Sequence, residues 1–251
     1  MIIKNSQGNV NFDFPRYSNT DTIAISLSGG ADSAMMLHHL VPIMQANNYN
    51  WKIVTGGDTA RPWSGPAARN IVKLVLNFHG LEPTSVEHRF YGYDTTKLSE
   101  ADSQATGIGR LVLEDEFNYL ISGTTALPTE TIDVEGHPLE RTTNKVIELH
   151  DIKTLPNGDP CTLSNRDAGF TTGTILKQWR PFSFVNKKWI AEEYEKLTEE
   201  YPQYGDLLFN ATISCVSYAE HTRDFTKPCT HCWWCQEKKW AFGCYDGGYR
   251  D

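Results

Sequence analysis

The chain has 251 residues, 39% of them hydrophobic, with a formal net charge of −8 and six cysteines. Such a length buries a sizeable core in one or two domains, and a pI near 5.5 leaves no broad basic footprint for RNA or DNA, so nucleic acid is an unlikely partner on charge grounds. No apolar run reaches the roughly 18 residues of a membrane span, and no charged-then-apolar leader is evident, which leads us to expect no membrane association and a cytoplasmic protein.

In chain order, Thr22 to Ser33 reads TIAISLSGGADS: a β-branched run, the turn Ser28-Gly29-Gly30-Ala31-Asp32-Ser33, then an apolar segment. Glycines permit a tight turn and close approach to a ligand, and a helix opening near Asp32 offers unpaired N–H groups and a positive dipole end, so the pattern predicts a phosphate cradle. Ala34, Leu37, Val41 and Met44 recur at helical spacing, with Pro42 expected to kink or end that helix. Trp51 to Thr55 predicts a second strand, followed by a turn at Gly56 to Thr59. Ile71, Leu74, Val75 and Phe78 predict a second helix closed by Gly80. Val86 to Tyr91 predicts a third strand, Ser99 to Glu116 a helix with Ile108, Leu111 and Val112 inward, and Tyr119 to Ser122 a fourth strand.

Alternation of this kind predicts an α/β fold with a doubly wound, mostly parallel sheet, whose ligands lie outside the carboxyl ends of the strands. Ser28 to Ser33, Gly56 to Thr59 and Ser122 to Thr125 should then face one crevice. We divide the chain into a nucleotide-binding core over 1–126, an insertion or lid over 127–178, and a C-terminal helical segment with a metal site over 179–251. The middle stretch, rich in Thr, Gly, Pro, Asn and Asp, suits a lid or a small inserted hairpin unit. Its His137, His150 and Cys161 have no spaced partner and are expected to be structural or solvent-facing. The pairs Lys187-Lys188 and Lys238-Lys239 are the candidates for a local basic patch or a solvated face.

The last third contains Cys215, Cys229, Cys232 and Cys235, spaced C-x13-C-x2-C-x2-C. Clustered cysteines in an acidic chain without an export signal point to metal ligands before disulfides. Four thiolates suit a closed, tetrahedral, structural Zn²⁺. An iron–sulfur cluster is the competing reading, because C-x2-C-x2-C opens the bacterial ferredoxin run, although its C-P ending is missing. His231, between two of the cysteines, is expected to be a bystander, and Trp233 and Trp234 to pack around the knuckle.

The SGGADS loop is neither a Walker loop nor a dinucleotide fingerprint. It resembles the pyrophosphate (PP) loop of the N-type ATP pyrophosphatases, with the adenine nucleotide alpha hydrolase-like fold that this implies, although Ala34 stands where many members have a hydroxyl. Arg180-Pro181-Phe182, Asn186-Lys187-Lys188-Trp189-Ile190, Thr212-Ile213-Ser214-Cys215, the cysteine knuckle and Ala241-Phe242 together resemble the 7-cyano-7-deazaguanine synthase subfamily, from the first strand to Phe242 with 127–178 unmatched. The resemblance implies that ATP adenylates a 7-carboxy-7-deazaguanine carboxylate, that ammonia displaces AMP to give the amide, and that a second ATP drives dehydration to the nitrile of the queuosine pathway. It implies ATP, Mg²⁺ and Zn²⁺ as cofactors and small-molecule substrates, and it leaves a homodimer open. Donors on Ser28, Gly29, Gly30 and Ser33 would hold pyrophosphate, Asp32 would hold a metal or cap the helix, Lys187 would contact phosphate or sit on a first-turn surface, and groups near Leu27, Ser28, Gly57 and Gly123 would bind the nucleotide. Asp32, Ser33 and Lys187 are the catalytic candidates.

Two departures fall at the acceptor end: Ser122-Gly123-Thr124-Thr125-Ala126-Leu127-Pro128 replaces a Gly-Val-Asn stretch followed by Asp-x-Ser-Gly, and Lys238 stands in place of an arginine. The alternatives are a PP-loop tRNA sulfurtransferase, which would need a persulfide cysteine such as Cys161, a sulfonucleotide reductase using Cys244, and a nucleotide-binding module without catalysis.

Overall fold

The computed structural model describes residues 1–12, 22–58, 63–93, 111, 114, 117, 119–126, 128, 175–215 and 227–250, with the backbone alone for 58, 93, 175–178 and four short strands between 132 and 167. An N-terminal hairpin pairs β1 (Ile2–Asn5) with β2 (Gly8–Asn11). The main sheet contains β3 (Thr22–Ser26), β4 (Asn50–Asp58), β5 (His88–Tyr93), β6 (Tyr119–Ser122) and, from the middle stretch, β9 (Ile152–Thr154), β10 (Pro160–Asp167) and β11 (Ile175–Trp179). Its order is β5-β4-β3-β6-β11-β10-β9, parallel from β5 to β11 and antiparallel beyond. Strands β7 (Ile132–Val134) and β8 (His137–Leu139) form a separate hairpin.

Side chains alternate across β3, so Ile23 and Ile25 enter the larger apolar core with Ile53, Tyr119 and Ile121, while Ala24 enters a second core with Val54, Leu120 and Leu111. Apolar residues on both faces produce the double winding expected from the sequence. Chain order reverses between β3 and β6, and that switch point opens the crevice where a doubly wound sheet takes its ligand.

Helix α1 (Ala31–Ala46) is buried on most sides, from Ala34 and Leu37 to Val41 and Met44. Pro42 does not end it. A proline removes the N–H that would bond the carbonyl four residues earlier, and here His79 Nε2 supplies that bond to the His38 carbonyl at 3.0 Å. Helix α2 (Ser64–Phe78) buries Ile71, Val72, Val75 and Leu76, and the chain turns away at Gly80, φ +72°. Gly56 and Gly57 form no turn; they extend β4 in parallel register with Tyr91 and Gly92. Of the predicted helix over 99–116, Leu111 is helical and buried, whereas Ile108 and Val112 lie outside the described residues.

After β11 come α3 (Lys187–Glu200), α4 (Pro202–Asn210) and α5 (Trp233–Phe242). Asn186 caps α3 by accepting the Lys188 N–H at 3.0 Å, which satisfies one of its orphan donors. The N-terminal hairpin, which no motif announced, docks on α3 through Asn5 to the Trp189 carbonyl and Trp189 Nε1 to the Gly8 carbonyl, each at 3.1 Å. The middle stretch adds strands to the sheet edge and a separate hairpin, and β11 straddles the expected boundary at 178/179. The side chains of His137, His150 and Cys161 lie outside the described residues. No described helix is long and apolar enough to cross a membrane.

Candidate active site

Between β3 and α1 the chain makes a loop that hydrogen-bonds to itself. Ser33 Oγ donates to the Gly30 carbonyl at 3.0 Å, accepts the Ser28 N–H at 3.2 Å and meets Ser28 Oγ at 3.1 Å. Ser28 Oγ in turn accepts the Gly30 N–H at 3.3 Å. Ser33 is thus a buried brace behind the loop, while Ser28, Gly30 and Asp32 line an open cavity of about 200 Å³. Gly29 has φ +89°, and a Cβ there would lie 3.3 Å from both Ala67 Cβ and the Ser64 carbonyl. Only glycine fits both that backbone and that contact.

Gly123 makes the opposite wall. A Cβ on it would stand 3.0 Å from the Ser33 backbone N and Cα and from the Asp32 carbonyl. The end of β6 can therefore lie against the first turn of α1, the close approach that places Gly123 on the cavity. Leu27 contributes backbone wall: its N–H donates to the Val54 carbonyl and its own carbonyl accepts Thr55 Oγ1, each at 2.9 Å. The cavity reaches Gly56. Gly57, the next residue on β4 and an expected nucleotide contact, does not line it.

Asp32 is not the helix cap, because Gly30 takes that position without a side-chain bond. Its carboxylate instead lies 3.4 Å from Lys187 Nζ and accepts Thr125 Oγ1 at 3.4 Å. Lys187 reaches the cavity from the first turn of α3 and is also paired with Glu237 of α5 at 2.9 Å. Burial alone would lower the Lys187 pKa, but the charges and hydrogen bonds of Asp32 and Glu237 outweigh it and hold the ammonium above its ordinary value. Lys187 is therefore a fixed, buried cation rather than a surface lysine. Glu237 was not a candidate in the sequence, where it reads as one charge in a helix.

The cysteine segment closes the cavity. Ile213 donates its N–H to the Gly29 carbonyl at 2.8 Å, and Ser214, Cys215 and Trp234 line the same space. The Sγ atoms of Cys215, Cys229, Cys232 and Cys235 all lie within 4.8 Å of one another. The Cys229 N–H donates to Cys215 Sγ and the Cys232 N–H to Cys229 Sγ, each at 3.3 Å. Such donors stabilise thiolate charge. Among the thiols, mutual hydrogen bonding lowers the Cys229 pKa and raises those of Cys215 and Cys235, so a cation is what would let all four ionise together. His231 is exposed and outside this set, and Trp63, at the head of α2, packs on the cysteines.

Lys238 is neither a substrate contact nor a solvated lysine. It is fully buried and donates to Asp246 Oδ1 at 2.6 Å and Thr212 Oγ1 at 2.9 Å. Asp246 Oδ2 accepts the N–H groups of Ser214 and Cys215, each at 2.8 Å. The pair therefore clamps the first cysteine against α5. Lys187 and Lys238 being buried, neither adjacent-lysine pair forms a basic patch.

No family model and no curated protein matches the chain. Among solved structures it is similar to the U34-tRNA thiolase NcsA from Methanococcus maripaludis with its [4Fe-4S] cluster, at 13% identity and a TM-score of 0.39, over 88% of this chain and 81% of that one. A likeness of that degree says nothing of activity.

Proposed function

We propose that this chain is an ATP-dependent enzyme of the PP-loop pyrophosphatase type, which cleaves ATP between the α and β phosphates and activates a carboxylate as its adenylate. The observation that carries the reading is the Ser28 to Asp32 loop: it opens α1 at the β3/β6 switch point, with Lys187 fixed 3.4 Å from Asp32 at its mouth. Helix N–H groups, the Ser28 hydroxyl and a buried ammonium together offset charge developing on a departing pyrophosphate. Mg²⁺ would arrive with the nucleotide, and Asp32 is the loop carboxylate on the cavity that can meet it.

The cysteine set suits Zn²⁺. Zn–S bonds of about 2.3 Å in a tetrahedron place sulfurs about 3.8 Å apart, and Cys229 Sγ lies 3.9 Å from Cys235 Sγ. A four-iron cluster would interpose its own atoms and spread the thiolates. Cys215, Cys229, Cys232 and Cys235 would hold such an ion in a closed structural site at the cavity wall.

For the acceptor we propose 7-carboxy-7-deazaguanine, on the resemblance of the 180–242 segment. Its carboxylate oxygen attacks the α phosphorus and pyrophosphate leaves. Ammonia then adds at the acyl carbon, AMP leaves, and a proton is lost to give the amide. The amide oxygen takes a second AMP from ATP with release of pyrophosphate, and loss of that AMP and two protons leaves the nitrile. Incubation with ATP, ammonium and 7-carboxy-7-deazaguanine, followed by mass spectrometry, should give substrate-dependent AMP together with the nitrile. AMP formed only with another carboxylate would keep the adenylating reading and replace the acceptor; no substrate-dependent AMP would remove the synthase reading.

A further inference from the structure

We propose that Ser214 is a ligand-binding residue, its hydroxyl donating to a phosphoryl oxygen of the nucleotide or pyrophosphate seated on the Ser28 to Asp32 loop. The inference rests on the nucleotide reading above and adds to it a residue outside the loop. Ser214 is 8% exposed and lines the cavity, and among the described residues its Oγ has no hydrogen-bond partner. A buried hydroxyl without a partner costs stability, so native chains rarely retain one without a further role.

The surrounding backbone shows where this hydroxyl is aimed. A Cβ built on Gly30 would lie 3.5 Å from Ser28 Oγ and 4.0 Å from Ser214 Oγ. Two serine hydroxyls thus flank the space beside the helix N-cap that glycine leaves open. Ser214 is held on both sides, by Ile213 N–H on the Gly29 carbonyl and by its own N–H on Asp246. A donor prepositioned in this way, beside the N–H end of α1 and the positive end of its dipole, suits an oxyanion rather than a neutral group. Ser214 also precedes the ligand Cys215, so the metal site sets its position.

The test is calorimetric titration of the metal-loaded protein and its Ser214→Ala variant with inorganic pyrophosphate and with AMP, in the presence of Mg²⁺. Thermal midpoints and metal content are measured on the free proteins. Removing the hydroxyl should weaken at least one of the two probes by about tenfold or more. The thermal midpoint should stay equal or rise, with metal content unchanged, because an unsatisfied group has been removed. Wild-type affinities for both probes in Ser214→Ala would overturn the inference and leave the nucleotide reading standing. A fall in thermal midpoint would assign the hydroxyl to the fold and overturn it likewise. If the wild-type protein binds neither probe, the nucleotide reading itself fails.

Discussion

The Ile213 N–H rests on the Gly29 carbonyl at 2.8 Å, joining the segment that leads into the first cysteine to the glycine loop. The two motifs of the sequence are therefore one wall of one cavity. Whatever orders Cys215 also orders Ser214 and the loop.

Metal content tests that joint directly. Purified protein should contain one zinc per chain and be colourless, whereas a brown chromophore would replace zinc by an iron–sulfur cluster. Cys232→Ala should lose the ion, and its thermal midpoint should fall well below wild type, since a structural zinc site contributes folding energy outright. A Cys232→Ala protein as stable as wild type would contradict a structural role.

The Lys187 pairs predict an asymmetry between two substitutions. Asp32→Asn leaves Lys187 paired with Glu237, so turnover should be lost with little change in thermal midpoint. Lys187→Met leaves Asp32 and Glu237 facing a buried site without their cation, a loss of about 3–5 kcal/mol for breaking a buried pair from one side. Denaturant midpoints and AMP release measured on both variants check this; equal midpoints would contradict it.

Lys238→Met should also destabilise the chain by about 3–5 kcal/mol, because it strips Asp246 of its buried cation. Adding Asp246→Asn should recover part of that loss. A double variant no more stable than Lys238→Met would show that the clamp acts through something other than charge.

Acid should loosen the α1–α2 contact. Burial, with repulsion from His79, pushes His38 down to about 3, and burial also lowers His39 and His79. The unfolded chain takes up protons near pH 6.5 that the folded chain refuses until lower pH, so stability is complete above about 6.5 and declines as pH falls toward 3. The urea midpoint should therefore be lower at about pH 5.5 than at about pH 7.5. An unchanged midpoint would mean that these histidines are charged or solvated in the fold.

What the sequence revealed and what it hid divide along the range of the interactions. The strand, glycine turn and helix around Ser28 are local, and so is the spacing of Cys229, Cys232 and Cys235, so both were legible. Glu237, Trp63 and Asp246 act through partners far along the chain, and an acidic residue in a helix carries no mark of the lysine it will meet. By its local rule Pro42 predicts a kink or an end; the helix does not end there, and the His79 bond to the His38 carbonyl that takes up the freed acceptor is tertiary and carries no local mark. Locally Gly56 and Gly57 read as a turn, but pairing with β5 overrides their weak strand preference. Ser214 had one available signal: it stands directly before the first cysteine of the cluster.

A PP-loop pyrophosphatase is distinguished by which ATP bond it breaks. Chromatography of the nucleotides formed from ATP, Mg²⁺, ammonium and the deazaguanine carboxylate separates the outcomes. Cleavage at the loop proposed here yields AMP and pyrophosphate, both lost in Asp32→Asn. ADP with orthophosphate, or AMP release that survives in Asp32→Asn, would contradict it.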